Sequence, residues 1–339
     1  MSPSAAGDPT AAGSPPTGGG RDPGTIVGPV PGTEVPRFAG PGTFLRLPSI
    51  DRCSRYDVAV LGAPFDTGTS FRPGARFGPI AVRTASRNVR PAFHPDLGIA
   101  PFERVQVVDA GDVPANPFQL ETAVDQIRDH ARELLANRSR LVTIGGDHTV
   151  ALPLLRAVNE LHGPVALVHF DAHLDTWDTY FGSPLTHGTV FRRAFEEGLL
   201  IRDRCVHVGI RGPIYDELDL RDDARFGFQI VRAGDIDRIG LEETVATVRR
   251  RVGEAPVYLS VDIDVLDPAF APGTGTPEAG GVTSRELLHL LRGLDGIALV
   301  GADVVEVAPA YDHAEITALA AATVVYDVLT MMAKHPLAF

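Results

Sequence analysis

Cysteine and basic residues are both scarce in this 339-residue chain, and each scarcity excludes a class of protein. Cys53 and Cys205 are its only cysteines, too few for the disulfide framework of a small secreted domain. Lys and Arg number 31 against 43 Asp and Glu, which gives a formal net charge of −12. Such an acidic chain argues against nucleic acid as a partner and mildly favours a cationic substrate, because phosphates bind basic surfaces.

The sequence also lacks an uninterrupted apolar run of 18 residues, so we expect no membrane span and no membrane partner. The N-terminus has no basic stretch followed by an apolar segment. We therefore expect no secretory signal and a cytoplasmic location. With 44% hydrophobic residues, the chain can still bury a substantial core.

The beginning of the chain is poor in the residues that build a core. Gly, Pro, Ala, Ser and Thr dominate residues 1–37, and the first aromatic residue is Phe38. Such a segment cannot bury enough apolar surface to offset the entropy lost on ordering. The composition therefore predicts a disordered Gly/Pro-rich tail over residues 1–45 and a single folded domain over residues 46–339.

Short apolar runs alternate with helix-length segments through the rest of the chain. We interpret eight runs as strands, at residues 56–62, 104–110, 140–145, 164–170, 204–210, 228–233, 256–262 and 297–307. Helix-length segments include residues 119–137, 241–252, 284–294 and 315–333. Continuous apolar strands that alternate with helices indicate an α/β protein whose parallel sheet is covered on both faces.

Polar residues cluster where four of these runs end. The segments are "GGDH" (145–148), "DAHLD" (171–175), "DID" (262–264) and Glu306. In a parallel sheet, ligands bind outside the carboxyl ends of the strands, so these clusters are expected to meet at one edge. Alternate residues of an extended segment point the same way, which lets each cluster direct several side chains at one point.

Together these clusters supply four carboxylates and two imidazoles: His148, Asp171, His173, Asp175, Asp262 and Asp264. Carboxylates crowded at neutral pH repel and raise one another's pKa, and divalent cations relieve that repulsion. An oxygen-rich shell with a little nitrogen suits Mn²⁺ better than structural Zn²⁺. Any one of these residues alone would more often be a turn or capping residue. Six together predict a site for two ions.

The motifs that carry these residues are similar to those of a known family. "GGDH", "DAHLD" and "SVDIDVLDPAFAPGTGTPEAGG" resemble the signatures of the ureohydrolase (arginase–agmatinase) family. "GAPFDTGTSFRPGARFGP", "HVGIRG" and "EVAPAYD" resemble its agmatinase branch. The resemblance, over residues 56–335, implies a three-layer α/β/α fold with a mainly parallel eight-stranded sheet. It also implies two Mn²⁺ per chain, a trimeric or hexameric homo-oligomer, and hydrolysis of a small guanidino compound to urea and an amine.

The same resemblance assigns the metal ligands. One ion would be bound by His148, Asp171, Asp175 and Asp262, and the other by Asp171, His173, Asp262 and Asp264. Asp171 and Asp262 would bridge the two ions.

Further roles also follow from the resemblance. His187 matches a histidine with a proton-transfer role, and Glu306 matches the carboxylate that pairs with the guanidinium. Thr276 matches a hydroxyl that lines the pocket. Asp175, as a metal ligand, could pass a proton from the attacking water to the leaving amine.

The sequence says least about the part of the substrate that lies beyond its guanidinium group. Arginases have an Asn where this chain has Trp177, which argues against arginine. Trp177 and its aromatic neighbours either line an apolar slot or pack the loop against the domain. Asp178 would suit the ammonium of agmatine, our first expectation. An anionic far end would need a cation, for which Arg72, Arg76 and Arg211 are candidates, but all three lie in stretches shared across the agmatinase branch and do not discriminate.

Several other functions stay open at this point. 4-Guanidinobutyrate, 3-guanidinopropionate and a proclavaminate-type precursor are alternative substrates. A non-catalytic polyamine-binding relative is an alternative of a different class, although it would be expected to have lost a ligand or Glu306. A deacetylase of the same fold would use fewer metal ligands.

Overall fold

A single eight-stranded sheet forms the centre of the protein. The computed structural model describes residues 25–136 and 138–336. Its strands are β1 (Val58–Ala63), β2 (Val107–Asp112), β3 (Arg140–Gly145), β4 (Ala166–Phe170), β5 (Cys205–Ile210), β6 (Phe228–Arg232), β7 (Val257–Asp262) and β8 (Leu299–Val305). All neighbouring pairs are parallel. The predicted eight-stranded parallel sheet is therefore confirmed.

Helices connect the strands and cover the sheet. In the described part of the chain they are α1 (Gly78–Ser86), α2 (Leu120–Leu135), α3 (Ala151–His162), α4 (Val190–Glu196), α5 (Leu218–Phe226), α6 (Ala233–Ile239), α7 (Leu241–Val252), α8 (Ser284–Gly293) and α9 (Ile316–Lys334). Short 3₁₀ turns follow several strands, including one at His148–Val150 after β3.

The sheet has a separate hydrophobic core on each face. Val58 and Val60 of β1 belong to the core packed against α1, α8 and α9. Ala59 and Leu61 of the same strand belong to the core packed against α2, α3 and α4. Successive side chains of a strand point to opposite faces, so a strand buried on both faces must be apolar at every position. The three-layer α/β/α prediction is confirmed by this arrangement.

The order of the strands determines where a ligand can bind. From edge to edge the order is β2-β1-β3-β8-β7-β4-β5-β6. The chain builds one half with β1 to β3, crosses to build the other half with β4 to β6, and returns with β7 and β8 between them. Such a reversal opens a crevice at the carboxyl ends of the central strands. β3, β8, β7 and β4 lie side by side there, and they are the four strands that the polar clusters follow.

Part of the predicted tail packs on the domain. Residues 1–24 lie outside the described residues, so the tail prediction stays a prediction there. Phe44 and Leu45 are buried in the core. The Phe44 amide donates to Asp109 Oδ2 at 2.6 Å, and Val27 exchanges two hydrogen bonds with the Gln106 side chain. The packed region thus begins before residue 46. The composition did not indicate this, because the segment has few large apolar side chains among many Gly and Pro residues.

One helix in the described part of the chain has the length and composition to cross a membrane. α9 has 19 residues and a mean hydropathy of 1.7, and 78% of its apolar window is buried inside the protein. It contacts α1, α8 and β8, so we interpret it as a core helix. The helix expected over residues 315–333 is thus present, and its apolar run is interrupted by Asp327 and by Thr317, Thr323 and Thr330.

The contribution of the segment before β1 can be measured with two phenylalanines. Phe44 is 0% exposed and Phe38 is 86% exposed. Phe44→Ala should lower the free energy of unfolding by about 3–5 kcal/mol, since it leaves a cavity in the core. Phe38→Ala, the matched control, should change it by less than about 0.5 kcal/mol. Denaturant titration measures both values, and equal values for the two variants would contradict the packed placement of Phe44.

Candidate active site

The turn after β3 brings the first imidazole to the end of the sheet. A Cβ on Gly146 would lie 1.7 Å from the carbonyl oxygen of Phe65, so only glycine permits the two backbones to approach this closely. Asp147 then caps the following 3₁₀ turn by accepting from the Thr149 amide at 3.0 Å. As a result His148 is completely buried, with its ring directed at the ends of the neighbouring strands.

Three carboxylates surround one nitrogen of His148. Its Nδ1 lies 3.2 Å from Asp171 Oδ2, 2.9 Å from Asp175 Oδ2 and 3.4 Å from Asp262 Oδ2. This nitrogen makes no hydrogen bond of acceptable geometry. The other ring nitrogen, Nε2, is 2.8 Å from the Ser260 hydroxyl, which fixes the orientation of the ring.

A second group lies beside the first and shares a carboxylate with it. His173 Nδ1 is 3.2 Å from Asp171 Oδ1 and 3.1 Å from Asp264 Oδ2. The two oxygens of Asp171 are therefore divided, with Oδ2 on the His148 side and Oδ1 on the His173 side. Asp262 directs Oδ2 toward His148, while its Oδ1 accepts from the Asp264 amide at 2.8 Å. All six sequence-predicted ligands are brought together.

Burial makes this concentration of charge costly. It raises the pKa of Asp262 well above its usual range, and the neighbouring Asp264 and Asp171 raise it further. Burial likewise raises the pKa of Asp264 to about 6. Carboxylates that resist ionisation in this way are stabilised by cations. The buried His148 Nδ1, encircled by acceptor oxygens and lacking a hydrogen bond, is the position that a divalent cation fits.

His169 also belongs to this cluster, although the sequence reasoning missed it. It is completely buried, and its Nε2 lies 2.7 Å from Asp171 Oδ2. Burial lowers the pKa of His169 to about 3, so the ring is neutral, and its Nε2–H donates a hydrogen bond to Asp171 Oδ2. Its other nitrogen is 2.7 Å from His207 Nδ1. The signal was available, because extending the alternation of Asp171, His173 and Asp175 back by two residues reaches His169.

Next to the cluster, Glu306 is held with one oxygen occupied and the other free. Its Oε1 accepts from the His148 amide at 2.9 Å and lies 2.8 Å from His187 Nδ1. Oε2 is buried and makes no hydrogen bond. The residue also has a φ of +65°, a left-handed conformation that costs a non-glycine residue about 1 kcal/mol or more and that clusters at functional sites. Asp175, with a φ of +55°, is a second such position.

The imidazole of His187 is enclosed between this carboxylate and the pocket. His187 is 7% exposed. Burial lowers its pKa, but the adjacent Glu306 carboxylate outweighs burial and raises the pKa to about 9. The geometry thus places the His187 imidazole beside the cluster of predicted metal ligands, which is the neighbourhood that the motif resemblance implied for it.

A pocket of about 520 Å³ opens above the cluster. Its base includes His173, Asp175 and Asp262, and its wall includes Ser70, Arg72, Trp177, Tyr180, His187, Tyr215, Thr276 and Glu278. The hydroxyl of Thr276 donates to Asp264 Oδ2 at 3.3 Å. Thr276 and Trp177 therefore line the pocket as predicted from sequence.

Trp177 is fixed in the wall by close packing. A Cβ on Gly188 would lie 2.7 Å from its ring, so glycine is required there. On its other side the indole stacks on Tyr180, with 5.3 Å between ring centroids and 17° between planes. Of the two interpretations of this loop, lining the pocket and packing on the domain, Trp177 does both.

Asp178 does not reach the pocket, contrary to the sequence interpretation. Its side chain is 63% exposed and lies 2.9 Å from Arg193 Nη2 and 3.4 Å from Arg192 Nε. Adjacent residues of an extended loop point in opposite directions, so directing Trp177 inward turns Asp178 to the surface. Apart from the predicted ligands Asp175 and Asp262 at its base, the pocket is also lined by the carboxylate residue Glu278, which the sequence did not indicate.

The fold and this site define the protein as an α/β/α enzyme with a buried His/Asp cluster able to bind metal. The profile of the arginase family matches residues 56–331. The chain therefore belongs to the arginase family, and it is a hydrolase that acts on C–N bonds of linear amidines.

Relatives with different named substrates are about equally similar. A guanidinopropionase from Pseudomonas aeruginosa is 47% identical, with 90% of this chain and 96% of the relative covered. Putative agmatinase 1 from Schizosaccharomyces pombe is 46% identical, with 88% and 84% covered. The structure of proclavaminate amidino hydrolase from Streptomyces clavuligerus superposes with a TM-score of 0.83, at 44% identity and with 88% and 99% covered. Sequence similarity therefore does not distinguish among these substrates, and the residues that line the pocket have to.

The shared position of Asp171 predicts the response of the protein to metal. Added Mn²⁺ should raise the Tm of the metal-free protein, because a ligand at 100 times its Kd stabilises the fold by about 2.7 kcal/mol. Asp171→Asn should abolish most of that increase, since Asp171 belongs to both the His148 group and the His173 group of predicted ligands. Asp178→Asn removes the same charge from an exposed site and should keep the full increase. An Asp171→Asn protein with the wild-type shift in calorimetry would contradict the assignment.

Proposed function

We propose that the protein is a binuclear manganese amidinohydrolase that converts agmatine and water to putrescine and urea. The observation that carries this proposal is Glu306, a buried carboxylate with an unpaired Oε2 next to a cluster built for cations. A buried acceptor without a partner is costly unless a ligand supplies the donor. A planar guanidinium supplies N–H donors in the geometry that carboxylates accept.

The ligand set proposed for the two ions is the one inferred from sequence. His148, Asp171, Asp175 and Asp262 would hold one Mn²⁺, and Asp171, His173, Asp262 and Asp264 the other. Asp171 directs Oδ2 toward His148 and Oδ1 toward His173, which supports a bridging role. Bound ions of this kind lower the pKa of water and so supply a nucleophile strong enough to attack a resonance-stabilised guanidinium.

The chain's own groups orient the substrate and move protons. Glu306 binds the guanidinium and fixes its plane relative to the cluster, which removes orientational entropy from the attack. Asp175 accepts a proton from the attacking water, and His187 delivers one to the departing amine. Thr276 and Trp177 shape the wall, where the indole covers the apolar part of the substrate.

Two features support a cationic far end. Glu278 lines the pocket and makes no ion pair with any described residue. The aromatic faces of Trp177, Tyr180 and Tyr215 are grouped at the same wall, with Trp177 and Tyr215 5.2 Å apart. Carboxylates and aromatic faces both stabilise an ammonium, and the net charge of the chain, −12, has the same sign.

A guanidino acid is the second candidate, and Arg72 is the observation that favours it. Its side chain lines the same pocket, forms no ion pair with any described residue, and lies 5.2 Å from the centroid of the Tyr311 ring. A free guanidinium at that wall suits a carboxylate. 4-Guanidinobutyrate, 3-guanidinopropionate and a proclavaminate-type precursor carry this group.

We also propose a cytoplasmic homo-oligomer, trimeric or hexameric, on the resemblance to the family. Sedimentation at micromolar concentration tests the assembly.

Urea release from a substrate panel tests the proposed function. With Mn²⁺ present, agmatine should give the highest kcat/KM among agmatine, 4-guanidinobutyrate, 3-guanidinopropionate and arginine. Arginine should be at least about 100-fold poorer, because Trp177 stands where arginases have the Asn that helps hold the amino-acid head group, so the α-carboxylate and α-ammonium lose that polar partner. Preference for arginine would contradict the interpretation of Trp177.

Two wall variants separate the candidate substrates. If agmatine is the substrate, Glu278→Gln should lower its kcat/KM by about 10-fold or more and leave that of 4-guanidinobutyrate unchanged, since a charge-assisted contact is worth about 1.5–3 kcal/mol. If a guanidino acid is the substrate, Arg72→Gln should show the converse pattern. Asp178→Asn, the exposed control, should change neither. An agmatine activity insensitive to Glu278→Gln would remove the support for the ammonium contact.

A further inference from the structure

The imidazole of His187 lines the pocket, and its Nε2 faces a second pocket residue, Ser70. His187 Nδ1 lies against Glu306 Oε1 at 2.8 Å. On the opposite side of the ring, Nε2 lies 2.6 Å from Ser70 Oγ and accepts from the Ser70 amide at 3.1 Å. The carboxylate, imidazole and hydroxyl thus form a chain of two hydrogen bonds that leads from the buried Glu306 outward.

Ser70 stands at the outer end of this chain. It lines the pocket together with Trp177 and Thr276, and His187, which is only 7% exposed, directs its Nε2 at the Ser70 hydroxyl. A group bound in the pocket can therefore meet the Ser70 hydroxyl, and a proton leaving Nε2 toward the pocket encounters that hydroxyl first.

The loop that carries Ser70 is tied to the Asp147 side chain and to the backbone amide of His187. The Gly68 amide donates to Asp147 Oδ2 at 2.8 Å, and the Gly68 carbonyl accepts from the His187 amide at 3.1 Å. Thr69 turns its hydroxyl to Asp147 instead, at 3.3 Å. The two Gly68 bonds hold Ser70 against His187, and groups that transfer a proton have to be held in position in this way.

The two groups that Ser70 presents to Nε2 differ in what they can do. The hydroxyl donates when the imidazole is neutral and accepts when Nε2 carries a proton, so it serves the ring in both states. The amide can only donate, so it favours the state in which Nε2 has lost its proton. A hydroxyl that both receives and releases protons is what a relay requires.

We propose that Ser70 relays the proton from His187 to the leaving amine, an inference that rests on the proposed function. Once the water oxygen has added to the guanidinium carbon, the C–N bond to the substrate chain breaks and its electron pair goes to the amine nitrogen. That nitrogen takes the Ser70 Oγ proton, and the His187 Nε2 proton replaces it on Oγ. One proton leaves His187, one reaches the amine, and the hydroxyl is restored.

The test uses full-length, manganese-loaded enzyme and agmatine. Ser70→Ala should lower kcat by about 100-fold, in the range typical of lost proton transfer, and change KM by less than about 3-fold because Glu306 still binds the substrate. Ser70→Thr keeps a hydroxyl and should restore most of the rate. Thr69→Val alters the neighbouring hydroxyl, which does not face His187, and should retain the wild-type rate.

Leaving-group basicity distinguishes a relay from a packing role. In an analogue with oxygen in place of the methylene next to the leaving nitrogen, the product is a weakly basic alkoxyamine that departs with less help from a proton. The ratio of wild-type to Ser70→Ala rates should then shrink to within about 3-fold. An equal loss on both substrates, or a Ser70→Ala rate equal to wild type, would overturn the relay.

Two further outcomes are decisive. An amidino adduct on Ser70, detected by mass spectrometry during turnover, would overturn the relay because the hydroxyl would then be a nucleophile. If wild-type enzyme releases urea and Ser70→Ala leaves the rate unchanged, the relay is wrong but the proposed function stands. If wild-type enzyme releases no urea from any guanidino compound, both the proposed function and the relay are wrong.

Discussion

Mutual repulsion among buried carboxylates is the constraint on which the rest of this structure depends. Asp171, Asp175, Asp262 and Asp264 surround two imidazoles in a place that water scarcely reaches, and burial raises the pKa of Asp264 to about 6. A chain that only had to fold would not gather these groups, since each desolvated carboxylate is costly without a partner. A divalent cation bound at the centre would offset this cost, and the sheet, turns and neighbouring imidazoles hold the groups together where such an ion could bind.

The surrounding structure keeps these groups in place by rigid local contacts. Gly146 allows the backbone after β3 to touch Phe65, and Glu306 is kept at a φ of +65°. Ser260 and His169 fix the outer sides of His148 and Asp171. Strained positions persist only where their neighbours over-determine them. In physical terms the site is pre-organised, so binding a guanidinium requires little rearrangement of the protein.

The residues proposed to select the substrate lie apart from the residues proposed to carry out the hydrolysis. In the proposed binding mode the guanidinium end of the substrate meets groups fixed by the central strands, and the other end of the substrate meets loop residues that line the pocket, such as Arg72, Trp177 and Glu278. Loops vary without disturbing the sheet. This division explains how relatives between 44% and 47% identical to this chain bear the names of three different substrates. In this chain the same wall holds Arg72 and Glu278, neither of which forms an ion pair with any residue that the structure describes.

The sequence by itself determined the sheet, its two covered faces and the six candidate ligands, because strand periodicity and strand ends are local patterns. Tertiary structure alone decided what depends on distant contacts. It showed that Phe44 packs in the core, that Asp178 faces Arg193 on the surface, and that Glu278 lines the pocket. It also paired Ser70 with His187, which lie 117 positions apart in the chain. No periodicity encodes such a pair, since the direction of a loop side chain is set by the packing around it.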